Sequence, residues 1–198
     1  MDLLLATRNT HKTREIQQIL GPRFAVSDLR MHEIPEIHES GKSFEENATL
    51  KAIAVSKHLP GLVVADDSGL EVDALSGAPG VFSARYAGRE ASDKENIEKL
   101  LGELMRIGPR ARRSARFRCV IALARKGKLL GTFNGTVEGR VAKQARGLLG
   151  FGYDPIFVPR GFEKTFAELP AKVKHTISHR AKAIRALAAN LQPLGVRD

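Results

Sequence analysis

Short apolar runs alternate with amphipathic stretches along the first half of the chain. Leu3 to Ala6 predicts a buried strand, and the helical pattern that follows it ends at Gly21-Pro22. Two more helices are predicted to begin at Ser43 and Ser92, because each serine is followed three positions later by a glutamate, the spacing of a capping box. The residues predicted to face inward on these helices are Ile16, Ile19, Leu20, Phe44, Ala48, Ala52, Val55, Ile97, Leu100, Leu101 and Leu104.

The apolar run Leu62 to Ala65 leads into the acidic stretch Asp66-Asp67-Ser68-Gly69, and alternation from Leu70 to Leu75 predicts a half-exposed strand after it. Loops at strand ends are common positions for catalytic groups in α/β proteins. Mg²⁺ is bound in such places by one or two carboxylates together with substrate phosphates. A polar turn between two strands is the alternative, because Asp, Ser and Gly are common in turns.

The second half of the chain is predicted to be rich in strands. Phe117 to Ala124 and Leu129 to Phe133 predict a hairpin around Lys126-Gly127-Lys128, and 136–141 predicts a third antiparallel strand. Ser178 is a preferred N-cap for a last helix. The inward face of that helix is predicted to consist of Ile184, Leu187 and Leu191.

The composition is that of a globular protein, since 42% of the 198 residues are hydrophobic and 27% are charged. The sequence has no run of about 20 apolar residues, which a membrane span requires, and no signal-peptide pattern. We therefore predict a cytoplasmic protein with no membrane partner. The single cysteine, Cys119, lies in an apolar run, which excludes intrachain disulfides and indicates a core residue without a catalytic role.

The formal net charge of +10 indicates that the partner is anionic, which fits both nucleotides and nucleic acids. The densest basic cluster contains five arginines, but only Phe117 is interleaved among them to stack against bases. We therefore interpret this cluster as a solvated basic surface and consider nucleic acid an unlikely partner. Its members are Arg110, Arg112, Arg113, Arg116 and Arg118.

The polar run Thr7-Arg8-Asn9-Thr10-His11-Lys12 joins the first predicted strand to the first predicted helix. A helix start directs backbone amides and the positive end of the helix dipole toward such a loop, which favours an anion, and Lys12 adds a positive charge. The loop contains no glycine, so it matches neither the Walker pattern nor the dinucleotide fingerprint. An ordinary helix start is the alternative.

Gly150 and Gly152 flank Phe151 ahead of Tyr153-Asp154-Pro155. Glycines on both sides of an aromatic residue allow a flat ligand to approach the ring and the backbone. The alternative is a flexible loop with Phe151 packed into the core.

His179 and Arg180 fall in the first turn of the last predicted helix, where the helix dipole disfavours cations. A basic pair at this position indicates that something electronegative binds to it, and Lys174 lies close enough in sequence to join the pair. An exposed basic pair without a partner is the alternative.

Seven short motifs are spread from about Leu3 to Leu191, nearly the whole chain. They are Ala6-Thr7-Arg8-Asn9-Thr10-His11-Lys12, Ser43-Phe44-Glu45-Glu46-Asn47-Ala48, Ala65-Asp66-Asp67-Ser68-Gly69-Leu70, Gly77-Ala78-Pro79-Gly80, Ser83-Ala84-Arg85-Tyr86, Gly150-Phe151-Gly152-Tyr153-Asp154-Pro155 and Ser178-His179-Arg180. In order and spacing they resemble the inosine triphosphate pyrophosphatase family, also called non-canonical purine NTP pyrophosphatases.

The resemblance implies a single domain over residues 1–198 with an elongated, two-lobed α/β fold. Such a fold has a long curved mixed β-sheet flanked by helices and a central substrate cleft. The implied activity is Mg²⁺-dependent hydrolysis of ITP, dITP and XTP to the monophosphate and pyrophosphate by a homodimer, which removes deaminated purines from the nucleotide pool. A related Maf-type nucleotide pyrophosphatase, acting on pyrimidine or modified nucleotides, is the rival enzyme, but the segments 150–155 and 178–180 favour the purine family.

The resemblance also implies roles for individual residues. The triphosphate-binding loop corresponds to Thr7, Asn9 and Lys12, with Arg8, Thr10 and His11 as further substrate-binding residues. Asp67 corresponds to the general base and, together with Glu39, to the metal ligands, while Ser68 corresponds to a substrate contact. The nucleoside pocket corresponds to Phe151, Gly152, Tyr153, Asp154, Lys174, His179 and Arg180, the last two donating to the 6-keto oxygen of the purine.

Arg8 and His11 depart from the family pattern. Many relatives have glycine or asparagine at the position of Arg8, and glycine is frequent at the position of His11. Both residues add bulk or positive charge near the phosphates. We therefore expect tighter phosphate binding, with activity retained.

Overall fold

A computed structural model describes residues 1–35 and 37–191. Its strands are β1 (Asp2–Leu5), β2 (Ala25–Asp28), β3 (Leu62–Val72), β4 (Ser114–Arg125), β5 (Lys128–Val141) and β6 (Phe157–Pro159). Its α-helices are α1 (Thr10–Leu20), α2 (Phe44–His58), α3 (Asp93–Ile107), α4 (Ala171–Ile177) and α5 (His179–Leu191). Over the described residues, no helix combines the length and the apolar character that crossing a membrane requires.

The six strands form one mixed sheet in the order β2-β1-β3-β4-β5-β6. β1 pairs in parallel with both β2 and β3, whereas β5 and β6 pair antiparallel, with Arg140 opposite Val158. The sheet contains both parallel and antiparallel pairs because its strands are connected in two ways. Helices connect β1, β2 and β3 and provide the long crossovers that parallel pairing requires, whereas a hairpin connects β4 and β5. The predicted α/β class, with a mixed sheet flanked by helices, is confirmed, while the two-lobed form and the central cleft stay predictions.

The chain divides into two compact units, each built from several separate stretches. Among the described residues, the first unit comprises Met1–Asp67, Cys119–Gly135 and 179–191, and the second comprises Ser68–Arg118 and Thr136–Ser178. The strands β3, β4 and β5 therefore contribute residues to both units. Each unit has a hydrophobic core of its own.

The core of the first unit is aliphatic, with residues from β1, β3, β4, α1 and α5. It contains Leu3, Leu5, Ile16, Val64, Cys119, Ile121, Leu123, Ala183, Ile184, Leu187 and Leu191. Cys119 is 1% exposed, as the sequence predicted. The predicted inward faces are therefore confirmed at Ile16 of α1 and at Ile184, Leu187 and Leu191 of α5.

The core of the second unit is built around three phenylalanines. The ring of Phe157 lies 4.6 Å from that of Phe117 and 5.3 Å from that of Phe166, measured between centroids. Tilted rings at these separations combine burial of a large apolar area with favourable edge-to-face contacts. Helix α3 packs on this core through Ile97, Leu100 and Leu104, as its periodicity predicted.

The two predicted capping boxes have different outcomes. At α3, the Ser92 hydroxyl accepts from the Glu95 amide and the Glu95 side chain accepts from the Ser92 amide, which confirms the box. At α2, Ser43 accepts from the Glu46 amide at 3.1 Å, but the Glu46 carboxylate binds the amide of Lys42 at 2.6 Å instead of that of Ser43. Only half of the predicted box at α2 is therefore present.

Two predicted strand breaks are wrong. β3 continues from Leu62 through the acidic stretch 66–69 to Val72, so the two acids lie in the middle of a strand. Their carboxylates are neutralised by basic residues from distant parts of the chain, which removes the need for a solvated turn. β5 likewise runs unbroken from Lys128 to Val141, and 136–141 is its second half instead of a third strand.

The predicted turn between β4 and β5 is confirmed. Lys126 and Gly127 both have positive φ, 51° and 74°, and they connect the strands directly. Two-residue turns of this type match the right-handed twist of a hairpin, which is why they are preferred in such connections.

Gly135 in β5 allows α5 to lie close to the strand. A Cβ at this position would collide with the carbonyl oxygen of His179 and come within 2.7 Å of the amide of Ala183. Gly135→Ala is therefore expected to lower the free energy of unfolding by about 1–3 kcal/mol, the usual cost of overpacking. The clash is with backbone atoms of α5, so it can be relieved only by a shift of the helix.

Gly131→Ala in the same strand is the matched control for urea unfolding, since its Cβ would meet only the Phe133 ring, at 3.5 Å. Equal midpoints for the two variants would contradict the close approach of α5 to Gly135.

Candidate active site

The predicted phosphate loop begins where β1 ends and is capped by its own asparagine. The Asn9 Oδ1 accepts hydrogen bonds from the amides of His11 at 2.9 Å and Lys12 at 3.2 Å, and α1 begins at Thr10. The Thr7 hydroxyl accepts from the Asn9 amide at 3.1 Å. The amides at this helix start were expected to be open to an anion. For His11 and Lys12 this expectation is corrected, because the Asn9 side chain, a preferred N-cap group, already accepts from both amides.

Arg8 extends away from the helix start. Its Nη2 donates to the carbonyl of Ile34 at 2.8 Å, which ties the loop to the segment that follows β2. Thr10 and His11 are exposed. Contact of these three residues with substrate phosphates stays a prediction.

Asp66 is the centre of a buried charge network in the first unit. Its carboxylate forms ion pairs with Lys12 and with Arg180, whose Nε lies 3.0 Å from Oδ2, and it accepts from the Cys119 thiol at 3.1 Å. Burial alone would raise the pKa of Asp66, but Arg180 and Lys12 together hold that pKa well below its ordinary value. Asp66 is therefore ionised throughout the neutral range, and it anchors Lys12 beside the loop.

Arg180 is the most deeply buried charged side chain of this network, at 2% exposure. Besides Asp66, its guanidinium binds the carboxylate of Glu15 on α1. The electronegative partner expected for the first turn of α5 is thus supplied by the protein itself. His179 is buried as well, at 4% exposure, and a purine contact of either residue stays a prediction.

Lys51 of α2 links the two predicted metal ligands. Its Nζ lies 2.7 Å from Glu39 Oε1, 3.0 Å from Asp67 Oδ1 and 2.9 Å from the carbonyl oxygen of Asp66. Burial would lower the pKa of Lys51, but the two carboxylates outweigh it and raise that pKa, so the ammonium stays charged. Nothing in the sequence indicated Lys51, because its position on α2 is also that of an ordinary helical lysine.

The two carboxylate oxygens of Asp67 differ in their hydrogen bonding. Its Oδ2 is buried and has no hydrogen-bond partner within 1–35 and 37–191. Burial raises the pKa of Asp67 above its ordinary value, and this effect exceeds the opposing influence of Lys51 and Lys12. An uncompensated carboxylate oxygen is able to accept a proton or to bind a cation.

The residues around Asp67 fit a hard divalent cation. The carboxylates of Glu39 and Asp67 both contact the Lys51 ammonium, and Oδ2 of Asp67 is buried without a hydrogen-bond partner among the described residues. In the part of the chain that is described, no three His, Cys, Asp or Glu side chains are grouped as a complete metal cage. Mg²⁺ usually binds to one or two carboxylates and completes its shell with water and phosphate oxygens, so Glu39 and Asp67 suit that ion.

Phe151 lies in a tightly braced loop of the second unit. Its amide donates to Asp154 Oδ2 at 3.0 Å, and the same oxygen accepts from Lys174 Nζ at 2.6 Å. The Lys174 ammonium is 4.8 Å from the centre of the Phe151 ring, within the range of a cation–π interaction. The ring is half-buried and does not belong to the aromatic core, so the alternative of a core phenylalanine is not what the structure shows.

The neighbours of Phe151 are fixed by residues that the sequence did not indicate for this site. The Gly152 amide donates to Asp93 Oδ2 at 2.6 Å, and the buried Tyr153 hydroxyl donates to the carbonyl of Ser83 at 2.9 Å. Ser68 is half-buried on β3, next in the chain to Asp67.

The arginine cluster is largely occupied by contacts within the second unit. Arg116 binds Asp73 at 2.6 Å, Arg118 binds Glu71 at 3.2 Å, and Arg113 donates to the carbonyl of Ala142 at 2.9 Å. Arg110 and Arg112 line a surface cavity of about 420 Å³. Three of the five arginines are therefore bound within the protein, and the interpretation of the cluster as a solvated basic surface stays a prediction.

Residues 3–190 match the model of the Ham1 family. The chain belongs to that family. The dITP/XTP pyrophosphatase of Bacillus subtilis strain 168 is 47% identical to this Ham1 family member over 193 residues, which cover 96% of this chain and 97% of the relative. The predicted resemblance is thereby confirmed.

Solved structures of Ham1 proteins share the fold of this family member. The HAM1 protein of Coxiella burnetii superposes with a TM-score of 0.87 at 40% identity, covering 98% of this chain and 99% of the other. The Staphylococcus aureus Ham1 protein superposes with a TM-score of 0.85 at 42% identity, covering 98% and 100%. Agreement at this level over nearly whole chains confirms the fold class of the Ham1 family member.

Proposed function

We propose that this Ham1 family chain hydrolyses ITP, dITP and XTP to the nucleoside monophosphate and pyrophosphate, and so removes deaminated purines from the nucleotide pool. The observation that carries the proposal is the buried Asp67, whose Oδ2 lacks a hydrogen-bond partner over the described residues while Lys51 joins its Oδ1 to Glu39. Similar proteins of Bacillus subtilis and Bacillus licheniformis carry the name dITP/XTP pyrophosphatase, which supports the substrate class.

The residues of the first unit would bind the triphosphate and activate water. Lys12, anchored by Asp66, provides a positive charge at the start of α1 to hold phosphate oxygens in line. Asp67 would accept a proton from the water that attacks the α-phosphorus, because its pKa is raised and therefore lies closer to neutral pH than that of an ordinary aspartate. Mg²⁺ bound by Glu39 and Asp67 would neutralise charge on the phosphates and on the departing pyrophosphate.

A stacking ring and two buried hydrogen-bond donors would bind the purine. The half-exposed Phe151 ring offers a stacking face, and Lys174 and Asp154 brace it. We propose that His179 and Arg180 donate to the 6-keto oxygen of hypoxanthine or xanthine, a position at which adenine carries an amino group. Donors that are left unpaired by the wrong base are costly, so ATP should be rejected strongly.

The proposal also includes a single domain over 1–198, a homodimer and a cytoplasmic location. These follow from the family resemblance and the composition.

The deciding experiment measures pyrophosphate release from ITP, XTP, ATP and GTP in the presence of Mg²⁺. Turnover of ITP and XTP is expected to exceed that of ATP by at least about a hundredfold in kcat/KM, because a buried polar mismatch discriminates strongly. Chelation of the metal by EDTA is expected to abolish turnover of all four nucleotides.

Each other outcome has a defined meaning. Equal rates on all four nucleotides would contradict the purine pocket. Preference for UTP or CTP, added as further substrates, would favour the Maf-type rival. Absence of turnover, together with nucleic-acid affinity that falls steeply with salt, would instead favour a nucleic-acid-binding protein.

A further inference from the structure

The first residue of α3 makes a contact with the Phe151 loop. Asp93 precedes Gly152 by 59 residues, yet its Oδ2 accepts from the Gly152 amide at 2.6 Å. Hydrogen bonds from a backbone amide to a carboxylate are stronger than those between neutral groups. The contact is not required for α3 itself, because the Ser92 and Glu95 side chains already cap that helix.

The Phe151 backbone is held on both sides by carboxylates. Its own amide donates to Asp154, and the next amide, that of Gly152, donates to Asp93. Gly150 precedes it with φ +79°, and a Cβ on that glycine would collide with the Asp154 carboxylate. The loop therefore has little freedom to turn the ring while both bonds are in place.

Helix α3 is a firm support for Asp93. Ile97, Leu100 and Leu104 bury one face of the helix in the core of the second unit. The buried Asn96 further binds the chain ahead of the helix, since its Oδ1 accepts from the Ala87 amide at 2.7 Å. A carboxylate on such a helix gives the loop a fixed reference point.

We propose that Asp93 is a positioning residue for purine binding, which holds the Gly152 amide so that the Phe151 ring keeps a fixed orientation. The role of Asp93 rests on the proposed function, in which that ring stacks on the purine. Asp93 touches neither the phosphates nor the reacting water in this scheme. Its loss should therefore weaken binding of ground state and transition state alike.

Kinetics on ITP with three variants tests this role. Asp93→Ala is expected to raise KM about tenfold with kcat within about twofold of the wild type, as loss of uniform binding predicts. Asp93→Asn keeps an acceptor for the Gly152 amide and is expected to restore KM to within about threefold of the wild type. Glu98→Ala is the matched control, since it removes an exposed carboxylate from the same helix and is expected to behave as wild type.

The asparagine variant separates two roles of the carboxylate. If Asp93 served only to stabilise the positive N-terminus of α3, both Asp93 variants would lose that effect and behave alike. Restoration by asparagine is expected only when hydrogen-bond acceptance is what counts.

A substrate-free measurement makes the inference independent of the activity. The chain contains no tryptophan, so Phe151→Trp introduces a single indole group at the position in question. Time-resolved anisotropy of that indole is expected to show more fast local motion when Asp93→Ala is added, but not when Asp93→Asn or Glu98→Ala is added.

Each outcome decides the inference. Equal KM and equal indole mobility in the Asp93→Ala and Glu98→Ala proteins would overturn it, and so would a fall in kcat at unchanged KM. If the wild type fails to hydrolyse ITP, the proposed function is wrong, and the anisotropy result alone then shows whether Asp93 orders the loop.

Discussion

Asp67→Asn is expected to lower kcat for ITP by about a thousandfold or more while leaving the fold intact. Asparagine cannot accept a proton from water at neutral pH, and general-base catalysis usually contributes a factor of 10² to 10⁴. The same change removes one of the two carboxylates proposed to bind Mg²⁺. Pyrophosphate release under saturating ITP and Mg²⁺ measures the effect.

The stability of this variant gives an independent check. Because burial raises the pKa of Asp67 in the folded protein, the ionised carboxylate disfavours folding at pH values above its unfolded pKa. Asp67→Asn is therefore expected to unfold at an equal or higher urea concentration at pH 7, and the difference should shrink in acid, where Asp67 is protonated.

Glu71→Gln is the matched control for activity. Glu71 lies on β3 as well and is paired with an arginine, Arg118, but it has no role in the proposed chemistry. Activity that survives in Asp67→Asn, or that is lost equally in Glu71→Gln, would contradict the assignment of Asp67 as the base.

Arg180→Leu is expected to cause the largest loss of stability of any single substitution considered. The change leaves the buried carboxylates of Asp66 and Glu15 without their shared partner, and breaking a buried ion pair in this way costs about 3–5 kcal/mol. Such a loss approaches the whole stability of many domains. Urea unfolding at pH 7 measures it, and Arg180→Lys, which keeps the charge but not the planar fork, is expected to lose less.

The pH dependence and a second arginine make this prediction specific. Since the folded pKa of Asp66 is lowered, its stabilising effect is present above the unfolded pKa and disappears as the pH falls toward the folded value. The difference between wild type and Arg180→Leu should therefore shrink only below the unfolded pKa of about 4, and it should be smaller at pH 3 than at pH 7. Arg116→Leu, which breaks half-exposed pairs with Asp73 and Glu138, should cost no more than about 1 kcal/mol.

The parts of the fold that depend on residues close together in the sequence were predictable from it. The capping box of Ser92 and Glu95 is complete within four residues, and the inward face of α5 repeats with the helical period. The turn at Lys126-Gly127 also follows from local preferences.

The continuity of β3 could not be predicted, because it depends on residues far away in the sequence. Two adjacent acids resemble a solvated turn until their partners are known, and those partners are Arg180, 114 positions from Asp66, and Lys51, 16 positions from Asp67. Such pairings leave no periodic signal in the chain.

The candidate site was predictable only as far as motifs extend. Asp67, Glu39 and Phe151 were identified through the family resemblance, whereas the bonds that brace them were not. Lys51 occupies an ordinary helical position, and Asp93 is a typical first-turn acid, so the sequence assigns both a helical role first. Short elements such as α4 also escaped prediction, since seven residues give too little periodicity.

The division of β4 between two cores restricts which lengths this strand can have. Phe117 belongs to the core of the second unit and Cys119 to that of the first, only two positions further along the same strand. A single inserted or deleted residue ahead of Phe117 would turn both side chains to the opposite face of the sheet, since side chains alternate along a strand. Insertions and deletions should therefore be tolerated at the Lys126-Gly127 turn but eliminated by selection within β4.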